Sequence, residues 1–190
     1  MIHEMRIYDL AVGKAAAYIE LFRSVGVVAV TRHLPMAGYW LAESGPLNRL
    51  YHLWIYESLS ERDACRAGLA NDDAWTSGFV PLGFPLITRQ QNLLLSLTHS
   101  SDGFDQVIKA RKQPHPAQPN GPMYAPGFMS LAFGIRLGDD LGNRPVARWM
   151  VLSGAQPKDE LALFDTAGLE TPSAARDHVV LRPLSVSPLR

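Results

Sequence analysis

Two short runs carry the side chains that can do chemistry. Residues 4–8 read Glu-Met-Arg-Ile-Tyr, and residues 52–56 read His-Leu-Trp-Ile-Tyr. In each, a polar or aromatic residue stands at every second position: Glu4, Arg6 and Tyr8 in the first, His52, Trp54 and Tyr56 in the second. An extended chain turns alternate side chains the same way, so each run presents its three groups on one face. An imidazole titrates near neutrality and is a candidate acid or base. A guanidinium holds an anion or enolate, and a phenol donates a hydrogen bond. Together they would bind and polarise a small aromatic or carbonyl compound. His52, Arg6 and Tyr8 are the candidate catalytic groups; Glu4, Trp54, Tyr56, Tyr39 and Glu43 are candidate substrate contacts. The competing reading is packing, with Glu4 and Arg6 paired and the rings filling an interior.

Other chemistries find little support. The six histidines include no H-x-H or H-x-x-x-H pair and no cysteine partner, so no metal site is expected. A lone histidine can bind haem, and His52, His99 and His178 lie on or beside predicted strands. Haem is therefore the alternative to a site without a cofactor. Asp139, Asp140 and Asn143 read as a turn, because the later ligands of a calcium loop are missing. Gly13-Lys14 lacks the earlier glycine of a phosphate loop, and neither G-x-G-x-x-G nor G-x-S-x-G occurs. The single Cys65 reads as a small, half-buried helical residue suited to a reducing compartment, and a cytoplasmic location is expected.

The elements that must position these groups follow the same periodicities. Ile2–Leu10 is the first predicted strand. Lys14 to Thr31 is helical, with Ala15, Tyr18, Ile19, Phe22, Val25 and Gly26 on one side. Gly38–Glu43 and Arg49–Glu57 form a hairpin around Ser-Gly-Pro-Leu-Asn, where glycine and asparagine tolerate positive φ. A helix over Glu61–Ala70, capped by Ser60 and Asp63, and a strand over Gln90–Leu97 complete a β-α-β-β-α-β order. That order is the ferredoxin-like split βαβ, an α+β antiparallel sheet with both helices on one face. Its first and third strands are central neighbours, so the two functional rows lie side by side. The apolar rows, Met5 and Ile7 with Tyr51, Leu53 and Ile55, are expected under the helices. The functional face is left for a second chain or the strands of the tail to cover, since soluble chains do not expose such an aromatic patch.

Residues 99–127 are rich in proline and read as a linker. Beyond it, Phe128–Leu137, Ala147–Ser153 and His178–Val186 read as strands and Pro157–Ala167 as a helix. Trp149 to Ser153 repeats the pattern of Trp54 to Ser58 before the next element. Residues 128–190 are therefore read as a degenerate second ferredoxin-like copy following a first domain over 1–98.

At 190 residues the chain can bury a core without disulfides. Eighteen basic and eighteen acidic residues balance, which gives nucleic acid no electrostatic purchase. No apolar run approaches the ~20 residues that span a bilayer, and no membrane association is expected.

Taken in order, several stretches resemble the NIPSNAP family over about residues 1–97. They are Glu4-Met5-Arg6-Ile7-Tyr8, Gly13-Lys14, Gly38-Tyr39-Trp40 with Glu43, and Gly45-Pro46-Leu47-Asn48. They continue with His52-Leu53-Trp54, Tyr56, Ser58-Leu59, Arg62 and Asp73-Ala74-Trp75. The resemblance implies a dimeric α+β barrel, in which two ferredoxin-like sheets pair so that their polar-aromatic faces enclose an interior. It also implies relatives among cofactor-free oxygenases and isomerases of aromatic compounds and among haem enzymes. The expectation is a homodimer binding a small hydrophobic or aromatic ligand, either as an oxygenase, isomerase or cyclase or as a non-catalytic scaffold. The long tail departs from the single-domain pattern.

Overall fold

The computed structural model describes residues 1–135, 145–166 and 175–190. The chain begins with β1 (Ile2–Leu10) and a helix α1 over residues 15–31, which passes through a π-helical turn at Phe22–Gly26. The hairpin β2 (Met36–Ala42) and β3 (Arg49–Tyr56) follows, its turn set by Gly45 at φ 69° and Asn48 at φ 57°. Next come α2 (Leu59–Ala70), a short helical stretch α3 over residues 74–83, and β4 (Ile87–Ser100). Ser58, not Ser60, caps α2: its hydroxyl accepts from the Glu61 backbone N–H. The expected linker carries a helix of its own, α4 (Asp102–Ala110), capped by Ser101.

The tail adds β5 (Phe128–Ile135), β6 (Ala147–Ser153), β7 (Glu160–Thr166) and β8 (Asp177–Pro183). The segment expected as a helix from Pro157 is therefore a hairpin turn followed by a strand. Proline and acidic residues at a segment's start suit a first helical turn, but the apolar residues alternate. Leu161 and Leu163 point to one side and Ala162 and Phe164 to the other. The turn bends at Gln156 (φ 57°) and Lys158 (φ 76°). The turn read at Asp139–Asn143 lies outside the described residues.

All eight strands close into one antiparallel barrel in the order β1-β3-β2-β8-β5-β7-β6-β4. Taken from β4, the first half runs 4-1-3-2 and the second 8-5-7-6. The same relative order repeats, without described helices between the second set of strands. The barrel thus closes within a single chain, where pairing of two chains was expected. β2 joins β8 through Trp40–Pro183 and Ala42–Leu181, and β4 joins β6 through residues 94–100.

Closure also reverses the expected faces. Met5, Ile7, Tyr51, Leu53 and Ile55 point into the barrel, with Trp40, Leu93, Leu95, Leu131, Trp149 and Leu161. Tyr8, Tyr39, Trp54 and Tyr56 point outward and pack beneath α1, α2 and α3 against Tyr18, Phe22, Leu69 and Phe79. An eight-stranded barrel is just wide enough for side chains to fill. The more apolar rows therefore go inside, with His3 held among them by Trp149. The mixed row goes where helical aromatic residues, a few of them with hydroxyls, can meet it. α4 plugs one end of the barrel with Phe104 and Ile108. No described helix is long and apolar enough to cross a membrane.

Candidate functional site

Antiparallel pairing sets Arg6 opposite His52, Glu4 opposite Trp54, and Tyr39 opposite His52 on the other side. One row therefore crosses three strands, Tyr39-His52-Arg6, with Tyr8 one step along β1. The helices do not seal this row. A cavity of about 160 Å³ remains, lined by Arg6, Tyr8, Tyr39, His52 and Trp54 from the sheet. Its other walls are Tyr18 and Phe22 of α1, Arg66 and Leu69 of α2, and Trp75 and Phe84 beyond it. Gly26 lets the Phe79 ring pack closely on α1, since a Cβ there would lie 2.7 Å from it.

His52 is the best-defined group. Its ring stacks on Tyr39 at 4.6 Å between centroids and meets the edge of Tyr8, also at 4.6 Å. The Trp54 indole N–H donates to His52 Nδ1 at 2.7 Å. An indole nitrogen is a donor only, so Nδ1 must be the bare nitrogen and Nε2 carries the proton. Burial, and secondarily the charge of Arg6, hold the imidazole pKa well below its ordinary value. His52 is therefore a neutral ring whose Nε2–H has no protein partner. It can donate a hydrogen bond to a ligand, but it is not poised to remove a proton, which revises its expected acid/base role.

The expected pairing of Glu4 with Arg6 is not formed. Glu4, fully buried, takes a two-pronged bond from Arg62 at 2.9 and 3.1 Å and a third from Asn92 at 3.1 Å. Arg6 bonds only the neutral Gln90, at 3.1 Å, and lies over the Tyr8 ring at 5.3 Å. Its Nε has no partner. Arg66 stands 3.5 Å from Glu4 and leaves Nε and one terminal nitrogen without a hydrogen bond. The tyrosines stay protonated. Burial raises the pKa of Tyr8, Tyr18, Tyr39 and Tyr56, and the Tyr18 and Tyr39 hydroxyls bond each other at 3.2 Å.

Of the residues singled out from sequence, Arg6, Tyr8, Tyr39, His52 and Trp54 line the cavity. Glu4 and Tyr56 lie on the same face without lining it. Glu43 belongs elsewhere: it pairs with Arg182 at 2.9 Å at the joint with the tail. Sequence reading missed Tyr18, Arg66, Trp75 and Phe84, which arrive from helices. The spacing of Arg62 and Arg66, one helical turn apart, was the available signal for Arg66. His33, just past the C-terminus of α1, bonds Asp72 at 2.8 Å.

The cavity does not suit haem. Nε2 of His52 is a chemically reasonable ligand, but about 160 Å³ is room for one substituted ring, far short of a macrocycle.

The NIPSNAP family profile matches residues 3–102. Protein NipSnap homolog 3B of Mus musculus is 34% identical over 90 residues, 47% of this chain and 36% of that protein. The chain thus spans about a third of the length of the curated relatives it matches. A NIPSNAP domain protein from Burkholderia xenovorans is 31% identical, over 50% of this chain and 93% of that one, with a TM-score of 0.49. An anthrone oxidase-like protein, 10% identical, is similar over 96% of this chain and 90% of its own, with a TM-score of 0.51. That last likeness is one of fold, and it extends through both halves of the barrel.

Proposed function

The chain belongs to the NIPSNAP family, and from that premise we propose that its cavity beneath the helices binds a small planar compound bearing an anionic or carbonyl oxygen. One observation carries this reading: Arg6, Arg66 and His52, each with a buried N–H that has no hydrogen-bond partner, line a cavity walled by aromatic rings. Leaving such donors buried and unmade costs roughly 1–3 kcal/mol each. An oxygen ligand would recover that cost. The rings select a flat partner, since Tyr8, Tyr39, Trp54, Trp75 and Phe84 offer faces and edges to an aromatic or conjugated system.

The same donors favour the charged form of whatever oxygen they hold. A phenol or enol bound there would ionise more readily, because guanidinium and imidazole N–H groups stabilise the oxyanion in a water-poor site. This is the step an isomerase or cofactor-free oxygenase of aromatic compounds needs. In this reading Arg6 and His52 stabilise charge, Tyr8 orients the ring, and the proton leaves to solvent or to a second reactant.

The scaffold alternative draws on the barrel interior, which is filled by apolar side chains through its middle and plugged by α4. It requires no ligand in the cavity.

4-Nitrophenol separates the two, because its ionised form absorbs in the visible. Titration at a fixed pH just below its own pKa should show saturable binding with added phenolate absorbance. Arg6→Gln should remove the added absorbance, with affinity falling by about tenfold, as expected for losing a charged donor. Absence of saturable binding to the folded protein would defeat the proposal and leave the scaffold reading.

A further inference from the structure

The barrel end opposite α4 is not plugged by any described element. A cavity of about 330 Å³ opens there, within the usual range for small-molecule sites. Its floor is the last layer of the barrel interior: Ile7, Leu93, Val151, Leu161 and Val179. Tyr51 and Phe133 form an aromatic wall, their centroids 6.2 Å apart and the rings tilted by 41°. This space is on the other side of the sheet from the cavity beneath the helices. Ile7 and Tyr51 point into it, while Arg6, Tyr8 and His52 on the same two strands point away.

The rim is charged, but its charges are engaged with one another. Arg49 grips Asp9 with two bonds, at 2.6 and 3.0 Å. Arg176 bonds Asp159 at 2.6 Å and Asp177 at 3.2 Å. Glu160, 3% exposed, is held by Arg148. Gly134 allows Arg176 to fold across the strand end: its φ is 69°, and a Cβ there would lie 2.8 Å from that of Arg176. An anionic ligand would have to break one of these pairs to gain a cation, and it would meet the carboxylates of Asp159, Glu160 and Asp177 in doing so. An uncharged apolar ligand need disturb none of them, and it would cover the exposed edge of the interior.

We infer that this open barrel end is a second small-molecule site, independent of the one beneath the helices, which takes an uncharged aromatic or branched hydrophobic compound and discriminates against its anionic analogue. Two fluorescent probes with the same ring system test both parts. N-phenyl-1-naphthylamine is neutral, and 8-anilino-1-naphthalenesulfonate adds one sulfonate. With the full chain, the neutral probe should give saturable, one-to-one emission enhancement, and the sulfonate should bind at least about tenfold more weakly. Val179→Phe, which fills the floor, and Ala155→Trp, on the exposed turn at the rim, should each weaken the neutral probe by about tenfold or more. Near-ultraviolet circular dichroism checks that each variant is folded; Ala155→Trp alone decides the matter should Val179→Phe fail. Arg6→Gln should leave the neutral probe unaffected, so loss of 4-nitrophenol binding and loss of this site are read separately. The inference is overturned if the folded protein shows no saturable emission, if folded Ala155→Trp binds as tightly as the parent, if Arg6→Gln weakens the probe equally, or if the sulfonate binds as well as the neutral probe.

Discussion

Two histidines in this protein are held in the same way. His52 accepts from Trp54 on the outer face of the barrel, and His3 accepts from Trp149 at 2.9 Å inside it. Both are buried, neutral, and fixed with the proton on a partnerless Nε2. Burial lowers His3 to about 4 and His52 well below its ordinary value. A folded-state pKa below the unfolded one means that the unfolded chain takes up more protons as the solution is acidified. Stability from these groups is therefore fully present above about pH 6.5 and is lost as pH falls toward 4. Each histidine should add a slope of up to about 1.4 kcal/mol per pH unit within that window. Urea unfolding at several pH values should show the loss, and His3→Gln or His52→Gln should flatten it. A midpoint that does not move between pH 7 and 5 would mean that these rings charge without penalty in the folded state.

Among the elements, α1 does more than cover the sheet. Its Arg23 is 1% exposed and reaches Ser185 Oγ at 3.1 Å, Gly121 O at 2.7 Å, Gln118 O and Glu20. One guanidinium thus ties the helix to the proline-rich segment and to the end of the chain. Removing it leaves the Gln118 and Gly121 carbonyls and the buried Ser185 hydroxyl without this donor, and Glu20 without its cation. Arg23→Ala should cost about 1–3 kcal/mol, visible as a drop in thermal midpoint. A drop no larger than that of an exposed arginine would show that these segments are held by their apolar contacts alone. Arg23 carried no signal in the sequence: it falls among buried helical positions, and apart from Glu20 its acceptors lie 95 to 162 residues away. The error at β7 has a related cause. Glu160 to Thr166 has local features of a helix start, but its alternate leucines are drawn into a barrel formed by strands distant in sequence.

At the scale of the whole molecule, the second half of the chain is the other half of the barrel. Without Phe128–Arg190, strands β2 and β4 would become open edges, and Met5, Ile7, Tyr51, Leu53 and Ile55 would face water. A fragment ending at Leu97 should therefore self-associate, as sedimentation velocity would reveal. A monomeric, cooperatively folding fragment would show that the first half has another way to cover that face. Dimerisation, expected from the resemblance, is not needed by the full chain to cover this sheet.

The sequence by itself determined the strands of the first half, their pairing, and the grouping of Arg6, Tyr8, His52 and Trp54 on one face, together with the family. These follow from period-two alternation and hairpin turns, which act over a few residues. Which face turns inward could not be read, because alternation looks the same when a sheet is inverted and both faces here carry aromatic rings. Only the tertiary structure decided it, when the tail closed the barrel and claimed the apolar rows for its packed interior. The same closure put helical residues Tyr18, Arg66 and Trp75 over the functional row, turned Glu4 toward Arg62 and left Arg6 without a carboxylate. Each of those outcomes depends on contacts between segments far apart in the chain, about which local spacing carries no information.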